Sequence, residues 1–248
     1  MKKLFSRLSV AIAASLCMGA AHAGILTFDS PIDDTFTTFQ GSGLLGHTDA
    51  FLTQDLFVSG FNTKVGAVAG DLVGALINGS DLSGGLCGVG LICPSNNQTN
   101  FLALVNDGLP DIGMLSGDKF RAISFDASFI AIEGDTVPGT AMILRAEGYS
   151  ATGLLIQQDF LIPGPGSNGA YSFATYTLNA AFQNTYLNDI AFRSFICPPG
   201  TTSCNRSSDK AQFALDNLHF IPEPSSVALV ALAALGAFGA TSRRRNAA

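Results

Sequence analysis

Apolar residues in this chain cluster into short runs rich in Phe, Ile, Val and Leu, punctuated by Gly, Pro, Asn and Asp. Runs of that kind read as β-strands bounded by turns. They predict strands over 25–28, 51–58, 101–106, 120–132, 141–149, 154–160, 171–178, 189–196 and 211–221. The spacing is that of an antiparallel sandwich. The expected fold is therefore all-β: an antiparallel β-sandwich of jelly-roll type with one short helix, plus an N-terminal signal helix and a C-terminal transmembrane-type helix. In 120–127 the set Phe120, Ala122, Ser124 and Asp126 alternates with Arg121, Ile123, Phe125 and Ala127, giving one more apolar face. Tyr171 and Tyr176 sit five apart on one predicted strand, which places them on opposite faces. One segment breaks the two-residue rhythm: Val65, Val68, Leu72, Val73, Leu76 and Ile77 recur at helical spacing, with Gly66, Gly70 and Gly74 four apart on another side. It predicts the short helix, its glycines allowing close packing on the sheet.

The two ends follow different rules. Lys2, Lys3 and Arg7 precede an apolar stretch from Leu8 to Met18, and Ala21-His22-Ala23 supplies the small residues of a cleavage site. This is the layout of a secretory signal peptide, with the mature chain starting at Gly24. Cys17 does not make it a lipoprotein signal, because Leu16 is too bulky for the small residue such signals place there. At the other end Pro222, Glu223 and Pro224 form a rigid break, Val227 to Ala240 are uncharged and apolar or small, and Arg243, Arg244 and Arg245 close the run. Those fourteen residues reach about 21 Å as a helix, short of the roughly 30 Å hydrocarbon core. A transient contact with the inner membrane is expected, with the arginines at the cytoplasmic headgroups. The order of the three parts resembles the PEP-CTERM sorting signal of Gram-negative bacteria, which implies recognition by an exosortase-type processing enzyme and delivery to the cell surface or extracellular matrix. The chain thus divides into 1–23, signal peptide; 24–221, one secreted domain; and 222–248, sorting signal.

Removing the ends changes the charge. The whole chain is at −6, but residues 24–221 retain seven of the thirteen basic residues and eighteen of the nineteen acidic ones, near −11. An acidic surface of this kind argues against nucleic acid as a partner. Four cysteines remain, Cys87, Cys93, Cys197 and Cys204. An even number in an exported chain predicts two disulfides, and of the three pairings the local one, Cys87 with Cys93 and Cys197 with Cys204, closes two short loops. A four-thiolate zinc site is the competing arrangement, but the intervals are wider than metal knuckles use.

The interior stretch richest in information is Ala211-Gln-Phe-Ala-Leu-Asp-Asn-Leu-His-Phe220. Gln212, Phe213 and Asp216 resemble the Gln-Phe-x-x-Asp signature of one group of PEP-CTERM proteins, for which no enzymatic activity follows from the resemblance. In jelly rolls the first and last strands can lie side by side, so Asp29 and Asp216 are candidates to share a structural Ca²⁺. The plainer alternative is that Asp216-Asn217 forms a bulge, the carboxylate capping backbone donors. Asp33-Asp34 and 107–111 are weaker candidates, since neither follows the calcium-loop pattern. Catalytic equipment is sparse. The mature chain has only His47 and His219, no Gly-x-Ser-x-Gly elbow, and two glutamates before the tail, Glu133 and Glu147. There is no Trp to form a sugar-stacking platform. The sequence therefore predicts a noncatalytic exported protein of the cell surface or exopolysaccharide matrix. A calcium-stabilised carbohydrate-binding module is the alternative, and a secreted hydrolase a second one.

Overall fold

A computed structural model describes residues 23–29, 38–41, 51–62, 64, 66, 68, 70–84, 86–88, 90–134, 141–197, 204 and 210–223. Two antiparallel sheets face each other, as the strand spacing predicts. The strands are β1 (Gly24–Leu26), β2 (Thr38–Gly41), β3 (Phe51–Thr53), β4 (Leu56–Asn62), β5 (Asp71–Asn78), β6 (Leu91–Ile92) and β7 (Asn100–Leu104). They continue with β8 (Gly108–Met114), β9 (Phe120–Ile132), β10 (Ala141–Ser150), β11 (Gly153–Ile162), β12 (Ala174–Thr177), β13 (Asp189–Cys197) and β14 (Gln212–Pro222). One sheet runs β12-β9-β14-β7-β5-β2, with β1 also on β14 and β6 on β9; the other runs β11-β10-β13-β8-β4-β3. The predicted signal and tail helices fall outside the described residues. Among the described residues no helix is long and apolar enough to cross a membrane.

The core lies between the sheets and is organised around Phe125. Its ring meets Phe192 at 4.8 Å and Phe160 at 5.1 Å edge-on, and stacks on Tyr176 at 5.7 Å. Edge-to-face and offset arrangements of this kind satisfy the ring quadrupoles in addition to burying area. A second, smaller cluster lies on the outer side of the first sheet. There Ala75, Ile77, Phe101, Ala103, Ile130 and Ala214 are covered by Cys93, with Leu82, Leu86 and Cys87 packed against them. The loop that covers this face is closed by Cys87–Cys93; a second disulfide joins Cys197 to Cys204. Both are the local pairings.

Several expectations are corrected. The predicted helix over 65–77 ends in a strand: β5 pairs with β7 and β2, with Val73 and Leu76 packed in the main core and Ala75 and Ile77 in the outer cluster. Leu72, Val73, Leu76 and Ile77 satisfy both periodicities, and pairing on two sides decides for the strand. The short helix is instead α1 (Ala180–Gln183), opened by Asn179, whose side chain accepts the Phe182 N–H. The predicted strand 51–58 is a hairpin, turned at Gln54 and Asp55 with φ of 51° and 64°. Such a pair of positive φ values is what a two-residue turn matching strand twist requires. Alternation in β9 slips after Ala122, so that Phe125 and Ala127 face the core rather than Ser124 and Asp126. Tyr171 and Tyr176 both point inward, onto Phe129 and Phe125, because Tyr171 precedes the four residues of β12 and does not share their pleat.

Phe125→Ala is expected to cost about 3–5 kcal/mol, since three aromatic neighbours lose a partner and the core cannot collapse to fill the space. Ile25→Ala, at a side chain 44% exposed, should cost under about 1 kcal/mol. The difference in denaturant midpoint between the two variants checks the assignment of the core.

Candidate functional site

The last strand explains why the Asp216 region is unusual. Along one edge, β14 pairs with β9 throughout; along the other it pairs first with β7, at Phe213 to Leu215, and then with β1, at Leu218 to Phe220. Between these stretches lie Asp216 and Asn217, and Asn217 takes a positive φ of 49°. Opposite them, Asp216 pairs with Asp126 and His219 with Ser124, so β14 has one extra residue; one step later β9 has the extra residue. Paired bulges restore the register. They also cause the slip in the β9 alternation, a signal absent from the sequence of β9 alone.

The changeover leaves backbone groups that no ladder serves, and Asp216 meets them from a position 1% exposed. Its Oδ1 accepts the Asn217 backbone N–H at 2.8 Å, and its Oδ2 accepts Asn97 Nδ2 at 2.8 Å. Asn217 Nδ2 in turn donates to Asp126 Oδ2 at 2.9 Å, and Thr175 Oγ1 donates to Asp126 Oδ1 at 2.6 Å. Asp29, just beyond β1, accepts the Asn100 N–H at 2.8 Å. Burial pushes the Asp216 carboxyl up to about 6, with the Asn97 and Asn217 donors pulling it down and the charges of Asp29 and Asp126 adding to the rise. Asp29 and Asp216 thus occupy neighbouring positions, as first and last strands side by side require. As the side chains stand both Asp216 oxygens accept N–H groups, and a carboxylate has further lone pairs beyond these. Among the described residues no three His, Cys, Asp or Glu side chains come together closely enough to hold a metal ion. The arrangement is a bulge held by a capping carboxylate.

A second polar group lies on the outer side of the second sheet. Glu147, 6% exposed, accepts from Arg193 Nε at 3.1 Å and from the Tyr149 hydroxyl at 2.7 Å. Burial and that hydrogen bond raise the Tyr149 hydroxyl to about 12. Arg145 grips Asp159 with two bonds, at 2.6 and 2.9 Å, and lies 5.0 Å over the Phe195 ring. Asp111, on β8, is raised to about 7, first by burial and then by the charge of Asp189. Glu147 is committed to its ion pair while Glu133 stands exposed near the end of β9, so the two glutamates do not share a cleft. The 107–111 stretch, weighed from sequence as a weak calcium loop, is a corner: Asn106 and Asp107 have φ of 54° and 57°, and Asp111 belongs to β8. His219 pairs with Ile25 and Ser124 in the ladder, whereas His47 and Asp33-Asp34 lie outside the described residues.

The expected processing points are placed in part. Ala23 is exposed, and Gly24 opens β1 opposite Phe220. A side chain at Gly24 would meet the Phe220 ring, which would have to shift. At the far end the Glu223 N–H donates to Lys119 O at 2.7 Å. Ala21, Pro224 and Arg243 to Arg245 fall outside the described residues.

Residues 220–245 match the PEP-CTERM protein-sorting motif. No curated protein matches the chain. Among solved structures it is similar to a DUF4465 family protein from Bacteroides caccae, at 10% identity and a TM-score of 0.48, covering 82% of this chain and all of that one. It is also similar to a carbohydrate binding module of family 29, at 12% identity and a TM-score of 0.35, covering 81% and 88% of the two chains. A third likeness, at 13% identity and a TM-score of 0.32, is to Caldicellulosiruptor saccharolyticus CBM27-1 in complex with mannohexaose, covering 80% and 96%.

The raised Asp111 carboxyl makes a signed prediction. Its folded value lies above the ordinary 3.8, so between about pH 4 and 7 the native state holds more protons than the unfolded chain and stability falls as pH rises. Asp111→Asn removes that penalty. It should flatten the decline across this window and raise stability at about pH 8 by on the order of 1–4 kcal/mol, read from urea unfolding of both proteins at each pH.

Proposed function

We propose that this is a noncatalytic protein, exported through the inner membrane of a Gram-negative bacterium and sorted by its tail to the cell surface or the exopolysaccharide matrix around it. The observation that carries this reading is the match of residues 220–245 to the PEP-CTERM motif. That motif implies an exosortase-type enzyme as processing partner and a surface or extracellular destination. The geometry supports it: the motif begins on the last strand, at Phe220, beside the expected mature N-terminus at Gly24. Two disulfides suit an oxidising compartment. Gln212, Phe213 and Asp216 favour the Gln-Phe-x-x-Asp group within such proteins. The absence of catalysis is read from the pairing of Glu147 with Arg193 and the structural duties of Asp216, and exopolysaccharide is the environment in which the protein resides.

The intact mass of the protein recovered from envelope and medium of its own host tests this. Loss of residues 1–23, a C-terminus near Pro222 to Pro224, and a gain of four hydrogens on reduction are expected. A mature protein that still carries Arg243 to Arg245 overturns the sorting step and makes the tail an anchor.

A second reading, a calcium-stabilised carbohydrate-binding module, has one favourable observation: Asp29 and Asp126 lie near enough for their charges to act on Asp216. A cation there would use lone pairs of Asp216 that the Asn97 and Asn217 donors leave. On that reading Ca²⁺ at about a hundred times its Kd stabilises by about 2.7 kcal/mol, which raises Tm by roughly 5–10 °C for a domain of this size. Asp216→Asn would abolish the rise. An unchanged Tm leaves Asp216 as a hydrogen-bonding cap.

A further inference from the structure

The end of the sandwich from which the tail leaves is held together by a chain of contacts. The Glu223 N–H donates to Lys119 O, and Lys119 lies with Leu115 in the turn between β8 and β9. The Leu115 N–H donates to Asp55 O, in the hairpin turn between β3 and β4. Phe120 bridges Leu187, the next residue Asn188 accepts the Ala151 N–H at 3.1 Å, and Ala151 lies in the turn joining β10 to β11. Gly24 opens β1 opposite Phe220. Among the described residues seven large hydrophobic side chains stand well exposed, and five of them gather at this end: Ile25, Leu52, Leu115, Leu154 and Leu155. The other two lie towards the opposite end, Val68 in the connection after β4 and Leu161 one residue before β11 stops. Exposed apolar groups collected in one region mark a surface that meets something.

The chain beyond Glu223 identifies what that is. Only Pro224, Ser225 and Ser226 separate Glu223 from the apolar run that starts at Val227. Four Cα steps span at most about 14 Å, and the headgroup layer on one side of a bilayer takes up roughly 5–8 Å of that. A tail lying in the inner membrane therefore holds this end of the domain against the headgroups. Leu161, seven residues along β11 from Leu154, is about 23 Å further off. The apolar run is also shorter than the hydrocarbon core, and a short span draws its flanking residues inward and removes slack. Basic residues do not supply the attraction, since Asp55, Asp118 and Glu223 offset Lys119 and Arg121 at this end. We infer that the tail-exit end is a membrane-facing surface, whose exposed leucines rest at the boundary of headgroups and acyl chains until the tail is processed. This rests on reading the tail as a sorting signal that enters the membrane. The domain then stands end-on to the bilayer, and its apolar rim has a task that ends with processing.

The chain has no Trp, so a single Trp is a clean reporter of depth. The protein with its tail intact and its signal peptide removed is placed in vesicles of phosphatidylethanolamine and phosphatidylglycerol, and quenching by lipids brominated on their acyl chains is read for Leu115→Trp, Leu154→Trp, Leu161→Trp and, in the tail, Leu232→Trp. The three domain positions are exposed, so the fold should tolerate each change. Quenching is expected at 232, and several-fold stronger at 115 and 154 than at 161, undiminished by salt. In a Leu155→Trp protein, adding Leu115→Glu and Leu154→Glu should lower the quenching several-fold. Quenching at 232 without quenching at 115 and 154 overturns the inference and leaves the sorting reading standing. Equal quenching at 161 overturns it as well, because the domain then lies on its side. Quenching of Leu155→Trp that ignores the two glutamates overturns the part given to the leucines and leaves the tether alone. No quenching at 232 overturns both the inference and the membrane step on which it rests.

Discussion

The fold depends on a carboxylate placed where a strand changes neighbours. β14 lies between β9 on one side and β7 followed by β1 on the other, and a strand cannot hand over between partners without leaving backbone groups out of the ladder. In a strand this buried such groups have no water to turn to. Asp216 supplies an acceptor to the Asn217 N–H and draws in the Asn97 amide, while Asn217 ties the bulge to Asp126 on β9. The burial that raises its carboxyl is the cost of that position.

That handover also determines where the ends of the domain lie. Because β1 takes the second half of the β14 edge, Gly24 pairs with Phe220, two residues before the Pro-Glu-Pro break begins. The segment that matches a sorting motif therefore leaves the domain from its most deeply held strand, beside the first residue expected after export. The Glu223 amide is still tied to Lys119. Whatever cuts or holds the tail acts a few residues from a rigid point.

Much of this was legible in the sequence, and the failures have physical causes. The bounds of β9 were readable to the residue because its thirteen positions hold neither Gly nor Pro and are rich in Phe, Ile and Ala. The local disulfides were readable because their loops are short. β8 was missed because Gly108, Pro110 and Gly113 look like breakers; Pro110 is tolerated because β13 pairs only with Asp111 to Gly113, so no ladder bond is asked of its nitrogen on that side. β5 was mistaken for a helix because four apolar residues satisfied two periods at once, and only its neighbours distinguish them. Of the candidate site, the side-by-side placement of Asp29 and Asp216 followed from first and last strands meeting. Asn97, Asp126 and Thr175, which complete the network, come from three separate segments, and nothing in their local sequence announces the partnership.

The two sheets solve their outer faces differently, and this bears on how the molecule meets others. The first covers its outside with a disulfide-closed loop, so Phe101, Ile130 and Ala214 are buried on the side away from the main core. The second has paired charges there instead, Arg193 with Glu147 and Arg145 with Asp159. A face whose charges are internally matched offers little to an ionic partner. At the rim of that sheet lies β11, with Leu154, Leu155 and Leu161 exposed.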